Sequence, residues 1–396
     1  MGITIVQKSD LRKKKPKATK ALILSGGAIT GGSFKAGGIK ALNDYFTNFQ
    51  VTDFDIFVGI SSGSLLAAPL MGGISPESIL RSLEGSSRNF TTLSARHFYY
   101  PNFSEWIKRP LAFLGKLALS PLDLISKGHV DVPELLSMLP SGIFDNSPIE
   151  KYLRDNIERN GLTNDFRVAQ ELTRKKLYIC AMTLDGAKRV VFGPDEKNDV
   201  AISEAVQAST AMPGFYKPAH IQGVDYVDGG VQETANIDIA IQKGAQLIVC
   251  YNPFRPYDPD EQRSTKSSGR LAQKGVIEVL NQIFRAFFHA RLHIALDHFR
   301  QDPNFKGDII LIEPSANDSD FFKLNPLVLS NRVEAARLGF RSVRNSIEAK
   351  FDEVKKIFAS YGIEMTRRGV EAEFKKIMQP DVSEHELASL LERKRK

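Results

Sequence analysis

The 396-residue chain reads as an α/β protein, a three-layer α/β/α sandwich around a mostly parallel central sheet. Three observations predict it. Short apolar runs end in glycine or serine turns, residues at helical spacing follow those turns, and the pairing recurs along most of the chain. The first unit is Ala21-Leu-Ile-Leu closing on Ser25-Gly26-Gly27, as a buried strand feeding a tight turn would. Phe34, Ile39, Leu42, Tyr45 and Phe46 then predict a helix over 33–47. Phe54, Ile56 and Val58 mark a second strand, and Gly59 leads into a helix from Ser62. Further strands are expected at Leu177–Met182, Val190–Phe192, Leu247–Tyr251 and Ile309–Ile312, with long helices over 270–300 and 332–360. Residues 75–150 interrupt the alternation. They are rich in aromatic residues and broken by Pro101, Pro110 and Pro121, which suits an inserted helical cap. Residues 1–18 read as a basic flexible tail and 351–396 as a polar helical tail, leaving 19–350 as the folded body.

Hydrophobic residues make up 42% and charged residues 25%, so disorder and fibrous folds are excluded as the overall class. The net charge of +7 is unevenly placed. Residues 1–20 hold seven bases against Asp10, the last four residues are all basic, and the body between them carries 42 bases against 45 acids. The body thus offers no basic face, and nucleic acid binding loses most of its support. Basic ends suit solvent or an anionic membrane surface. No apolar run reaches the roughly 18 residues of a membrane-spanning helix, and the N-terminus lacks the apolar core of a secretory signal. A cytoplasmic protein with at most peripheral membrane contact is expected, with export by a route lacking a cleaved signal left open. Cys180 and Cys250, the only cysteines, each end an apolar run and are expected as buried thiols rather than a disulfide framework.

The sharpest chemical signal is Gly59-Ile60-Ser61-Ser62-Gly63 between a strand and an apolar helix. Small neighbours at Gly59 and Gly63 let the chain bend sharply enough to present Ser61 as a nucleophile, and the helix N-terminus favours negative charge beside it. Ser25-Gly26-Gly27-Ala28-Ile29-Thr30-Gly31 is a second strand-to-helix loop whose backbone N–H groups suit an oxyanion or a phosphate. Its spacing matches neither the dinucleotide fingerprint nor a phosphate loop. A serine nucleophile needs a base, yet none of the seven histidines lies in a glycine-rich turn after a strand. His289 and His293 sit one helical turn apart, a metal-ligand spacing, but no acidic third ligand stands beside them and packing histidines are the better reading. Asp228 does lie in such a turn, Tyr226-Val-Asp-Gly-Gly, which on its own also fits a hairpin.

Ser-Gly-Gly-Ala-Ile-Thr-Gly at 25–31, Phe-Asp-Ile-Phe-Val-Gly-Ile-Ser-Ser-Gly at 54–63, Ala-Ser-Thr-Ala-Met-Pro-Gly at 208–214 and Tyr-Val-Asp-Gly-Gly at 226–230 together resemble the patatin-like phospholipases in order and separation. The resemblance runs from about Lys20 to about Ile347. It implies a patatin-like fold, a Ser–Asp dyad at Ser61 and Asp228, and an oxyanion loop at Gly26, Gly27 and Ala28. Alanine stands where the family usually has a third glycine, and Thr30 where it has arginine or lysine. An N–H from Ala28 serves if its φ is negative. The implied activity is hydrolysis of phospholipid or lysophospholipid esters without metal or organic cofactor. A histidine-based esterase and a non-catalytic lipid-binding module are the rivals. The apolar residues of 98–126 (Phe98, Tyr99, Tyr100, Phe103, Trp106, Ile107, Leu111, Phe113, Leu114 and Leu117) are expected to pack as a cap or to enter a lipid interface beside Lys108, Arg109 and Lys116.

Overall fold

The computed structural model describes residues 2–84, 90–109, 111, 139–257, 270–379 and 384–391. Its centre is a nine-stranded sheet in the order β1-β11-β10-β2-β3-β5-β9-β8, with β6 paired to β5. Five neighbouring strands run parallel: β11 (Asp308–Ile312), β10 (Leu247–Tyr251), β2 (Lys20–Leu24), β3 (Ile56–Ile60) and β5 (Lys176–Thr183). The flanking strands β1 (Ile3–Gln7), β6 (Arg189–Phe192), β8 (Ala219–Ile221) and β9 (Val224–Asp228) pair antiparallel. A separate pair joins β4 (Gly142–Phe144) to β7 (Gly214–Tyr216).

Strand β2 shows why the sheet lies between two layers. Leu22 and Leu24 enter one core with Phe34 and Leu42 of helix α1 (Ala28–Tyr45), while Ala21 and Ile23 enter a second core with Ile237, Leu292 and Leu296. Because side chains alternate along a strand, a run that is apolar throughout needs cover on both faces. Helices Arg332–Ala349 and Val276–Gln301 supply part of that cover on opposite sides. Both cysteines are buried in the second core. Among the described residues, no helix is long and apolar enough to cross a membrane.

The two tails differ from the sequence expectation. Residues 3–7 are not a flexible tail: β1 pairs with β11 from Ile3↔Ile312 to Gln7↔Asp308. Buried Ile3 and Val6 sit one on each face of the sheet, which is why apolar residues precede the basic block. Beyond residue 350 the helices Phe351–Ser360 and Val370–Ile377 bury Phe351, Val354, Ile357, Phe358, Val370 and Ile377 in the main core, so this segment is not a polar tail. Much of the expected cap, 85–89, 110 and 112–138, lies outside the described residues, with Phe113, Leu114, Lys116 and Leu117 among them. Of the remainder, Phe98 is buried, whereas Tyr100, Phe103, Trp106, Ile107 and Leu111 are exposed.

Candidate active site

Ser61 follows the last residue of β3 and opens a single helical turn, Ser61–Gly63, before helix α2 (Ser64–Met71). Its φ is +52°, a left-handed conformation that non-glycine residues rarely hold and that costs about 1–3 kcal/mol. Local bonds sustain it. The Ser61 N–H donates to Ser209 Oγ at 2.9 Å, Ser209 donates to the Cys180 carbonyl at 2.6 Å, and Ser64 Oγ donates to the Ser61 carbonyl at 2.6 Å. The flanking glycines are demanded by packing. A Cβ on Gly59 would lie 2.5 Å from Ser64 Cα, and one on Gly63 would lie 1.9 Å from the Leu24 carbonyl oxygen.

Asp228 ends β9, whose register sets Asp228 opposite Ala181 on β5, while Ile60 stands opposite Cys180 on the other side of that strand. The segment 208–214 ties the two together. Ser209 holds the Ser61 N–H, and the Ala211 carbonyl accepts the Asp228 N–H at 2.9 Å. The Asp228 carboxylate accepts a hydrogen bond from the Gly230 N–H at 2.8 Å. Burial pushes its pKa up from 3.8 to about 6, against the Ser61 hydroxyl, the Gly230 N–H and the nearby charge of Lys35, which pull it down.

Gly26, Gly27 and Ala28 leave the end of β2, the neighbour of β3, so both loops emerge from adjacent parallel strands. A Cβ on Gly26 would lie 3.3 Å from Ser61 Cβ, and Ala28 shares a cleft wall with Ser61. Ala28 departs from expectation: its φ is +52°, not negative. Gly27, at φ +147°, turns the chain into α1. Among the described residues no acceptor takes the N–H of Gly26, Gly27 or Ala28, whereas those of Ile29 and Thr30 both donate to the Pro326 carbonyl, at 3.0 and 3.1 Å.

One functional residue was missed. No cation stands at Thr30, but Lys35 of α1 is fully buried behind the loop, donating to the Gly26 carbonyl at 2.7 Å and to Ser62 Oγ at 3.1 Å. Burial drives its pKa well below the ordinary lysine value, opposed by the charge of Asp228. A lysine directly after Phe34 in a glycine-rich apolar helix, one of two in that helix, was the available signal.

Ser61 opens onto a cleft of about 380 Å³, open solvent at its mouth included, whose lining is largely apolar: Leu65, Phe98, Ile149, Met212, Phe215 and Leu327 among others. No histidine lines it among the described residues, and His129 lies outside them. His289 and His293 stand elsewhere, beside Glu313.

The Patatin-like phospholipase family model matches residues 22–241, more than half of the chain. The chain belongs to the patatin-like phospholipase family. It is 26% identical over 230 residues to "Probable lipid hydrolase 463L" of Invertebrate iridescent virus 6, covering 58% of this chain and 65% of that protein. It is 32% identical over 76 residues to "Uncharacterized protein YjjU" of Escherichia coli (strain K12), covering 19% of this chain and 20% of that one. The chain therefore spans just under two thirds of the viral relative and a fifth of YjjU. Among solved structures, VipD from Legionella pneumophila aligns with a TM-score of 0.39 at 15% identity, over 88% of this chain and 70% of VipD.

Proposed function

We propose that this patatin-like protein hydrolyses carboxylic esters of phospholipids or lysophospholipids through an acyl-enzyme on Ser61. The observation that carries the reading is the buried Asp228 carboxyl, whose pKa burial raises and the Ser61 hydroxyl beside it lowers, next to a cleft that Ser61 and apolar side chains line. A carboxylate with a pKa near 6 is a better base than an ordinary aspartate and is still ionised at neutral pH. As Ser61 Oγ attacks the ester carbon, its proton passes to Asp228, and the carbonyl oxygen becomes an oxyanion taken up by the N–H groups of Gly26 and Gly27, which have no acceptor among the described residues. The tetrahedral centre collapses, the alcohol leaves with the proton from Asp228, and the acyl group stays on Ser61. Water then gives a proton to Asp228 as it attacks the acyl carbon, and Ser61 recovers its proton as the fatty acid departs. The apolar wall from Leu65 to Leu327 would hold the acyl chain.

Exposed Tyr100, Phe103, Trp106, Ile107 and Leu111, with Lys108 and Arg109 among them, would meet the lipid surface from which substrate is drawn. A fluorophosphonate probe tests the chemistry. It should label the protein once, at Ser61, and leave Ser61→Ala unlabelled. Absence of labelling in the active-site-intact protein would instead favour a lipid-binding module, and labelling at another residue would overturn the assignment of Ser61.

A further inference from the structure

The geometry points to a second site, a binding site for a divalent transition-metal ion of the zinc class formed by His289, His293 and Glu313. It stands independently of the hydrolase reading. The two histidines project from one face of the helix Val276–Gln301, one turn apart, with ring centroids 4.2 Å apart. Glu313 directly follows β11, so the fold brings to the histidines the acidic group that the sequence places twenty residues beyond His293. His293 Nε2 lies 2.8 Å and His289 Nε2 lies 3.9 Å from the same carboxylate oxygen, Glu313 Oε2. All the donor atoms fall within 4.8 Å of one another. Zinc bonds of about 2.0–2.1 Å in tetrahedral geometry place donor atoms about 3.3 Å apart, so seating an ion needs donor-atom shifts of about an ångström, within the reach of side-chain rotation.

Three further features suit a metal. Two imidazoles and one carboxylate are a donor set that zinc, cobalt, nickel and copper prefer over calcium or magnesium. Glu313 is buried and held from behind: its other oxygen accepts from Asn252 Nδ2 at 2.9 Å, the outer-shell support that orients a ligating carboxylate. The histidine side chains are 27% and 36% exposed, which gives an ion a route in and leaves room for a water as fourth ligand. Asn252 also accepts from Ser25 Oγ at 2.9 Å, so the site stands two hydrogen bonds behind the loop that carries Gly26. The competing arrangement is a plain His293–Glu313 ion pair, with the Arg255 charge nearby acting against any added cation.

The test titrates the full chain, without an affinity tag and stripped of metal, with ZnCl2 by calorimetry and with CoCl2 by visible absorption. One ion per chain is expected, with cobalt giving the bands of a four- or five-coordinate ion. His289→Ala and His293→Ala, both at partly exposed positions, should each weaken binding by more than about 100-fold, beyond the 10- to 100-fold typical of an outer-shell loss. Glu313→Gln keeps an acceptor for Asn252 and should weaken binding comparably. Equal affinity and stoichiometry in the intact protein and the double histidine variant would overturn the proposal, as would an unaltered cobalt spectrum in that variant.

Discussion

Replacing Asp228 with asparagine separates its chemistry from its effect on stability, and the two should move in opposite directions. Raising a carboxyl pKa from 3.8 to about 6 corresponds to roughly 3 kcal/mol at 1.36 kcal/mol per pH unit. The sign follows from linkage. The folded state holds the proton more tightly than the unfolded chain, so the protonated carboxyl favours folding below pH 3.8. That contribution is lost as the pH rises through 6. Above pH 6 the native protein therefore carries a buried charge that Asp228→Asn removes. At pH 8 the variant should be more stable by up to about 3 kcal/mol in urea unfolding, and at pH 4 the gap should have largely closed. Activity should do the reverse. On a short-chain p-nitrophenyl ester, kcat/KM of the native protein should fall tenfold per pH unit below an apparent pKa of about 6, and the variant should lose about three orders of magnitude at pH 8. A flat profile down to pH 4.5, or a variant that is less stable at pH 8, would refute the reasoning, because either shows that the carboxylate is not held ionised at a cost.

Four other perturbations probe separate parts of the molecule. Gly27→Val sets a side chain at φ +147° and 2.5 Å from Pro253 Cγ, so kcat should fall by about 10²–10³ with KM little changed; a change in KM alone would make the loop a substrate-binding turn. Lys40→Met should cost about 3–5 kcal/mol in urea unfolding, because buried Lys40 binds Asp44 and lies 3.8 Å from Glu77 and 3.7 Å from Glu373; a loss under about 1 kcal/mol would show these carboxylates to be neutral. Trp106, 46% exposed with its Nε1 donating to the Ile143 carbonyl at 3.3 Å, should shift its fluorescence to the blue on anionic vesicles. An unchanged spectrum during turnover on vesicles would place the lipid contact elsewhere. Replacing Lys13 and Lys17, both exposed, with glutamine should weaken vesicle binding at low salt by about 1 kcal/mol each at most. Deleting 1–18 would test something else, because it removes β1.

The central strands were legible because apolar runs closed by glycine or serine have few other uses. Leu247–Tyr251 appears with the expected bounds, and Ile309–Ile312 with one residue added. The Ser61 turn was legible because its glycines are set by backbone contacts and not by chemistry alone. Strand β1 was obscured by the bases behind it, and the C-terminal helices by their charge, although Val354, Ile357, Phe358 and Tyr361 keep one buried stripe. The positive φ of Ala28 and the distance between Glu313 and the histidines depend on tertiary structure, which no local pattern encodes.

The pairing of Ile3–Gln7 with Asp308–Ile312 sets an order of events during synthesis. Lys8, just past β1, donates its N–H to the Asp308 side chain across 300 positions of sequence. At about 5–20 residues per second the first strand waits some 15–60 s for its partner. Sheet assembly on the ribosome must begin with β2 and β3, which are close in sequence, and this edge closes last. Meanwhile Ile3, Ile5 and Val6 are exposed, and the basic residues from Lys8 to Lys20 beside them act as gatekeepers, repelling other chains until β11 emerges.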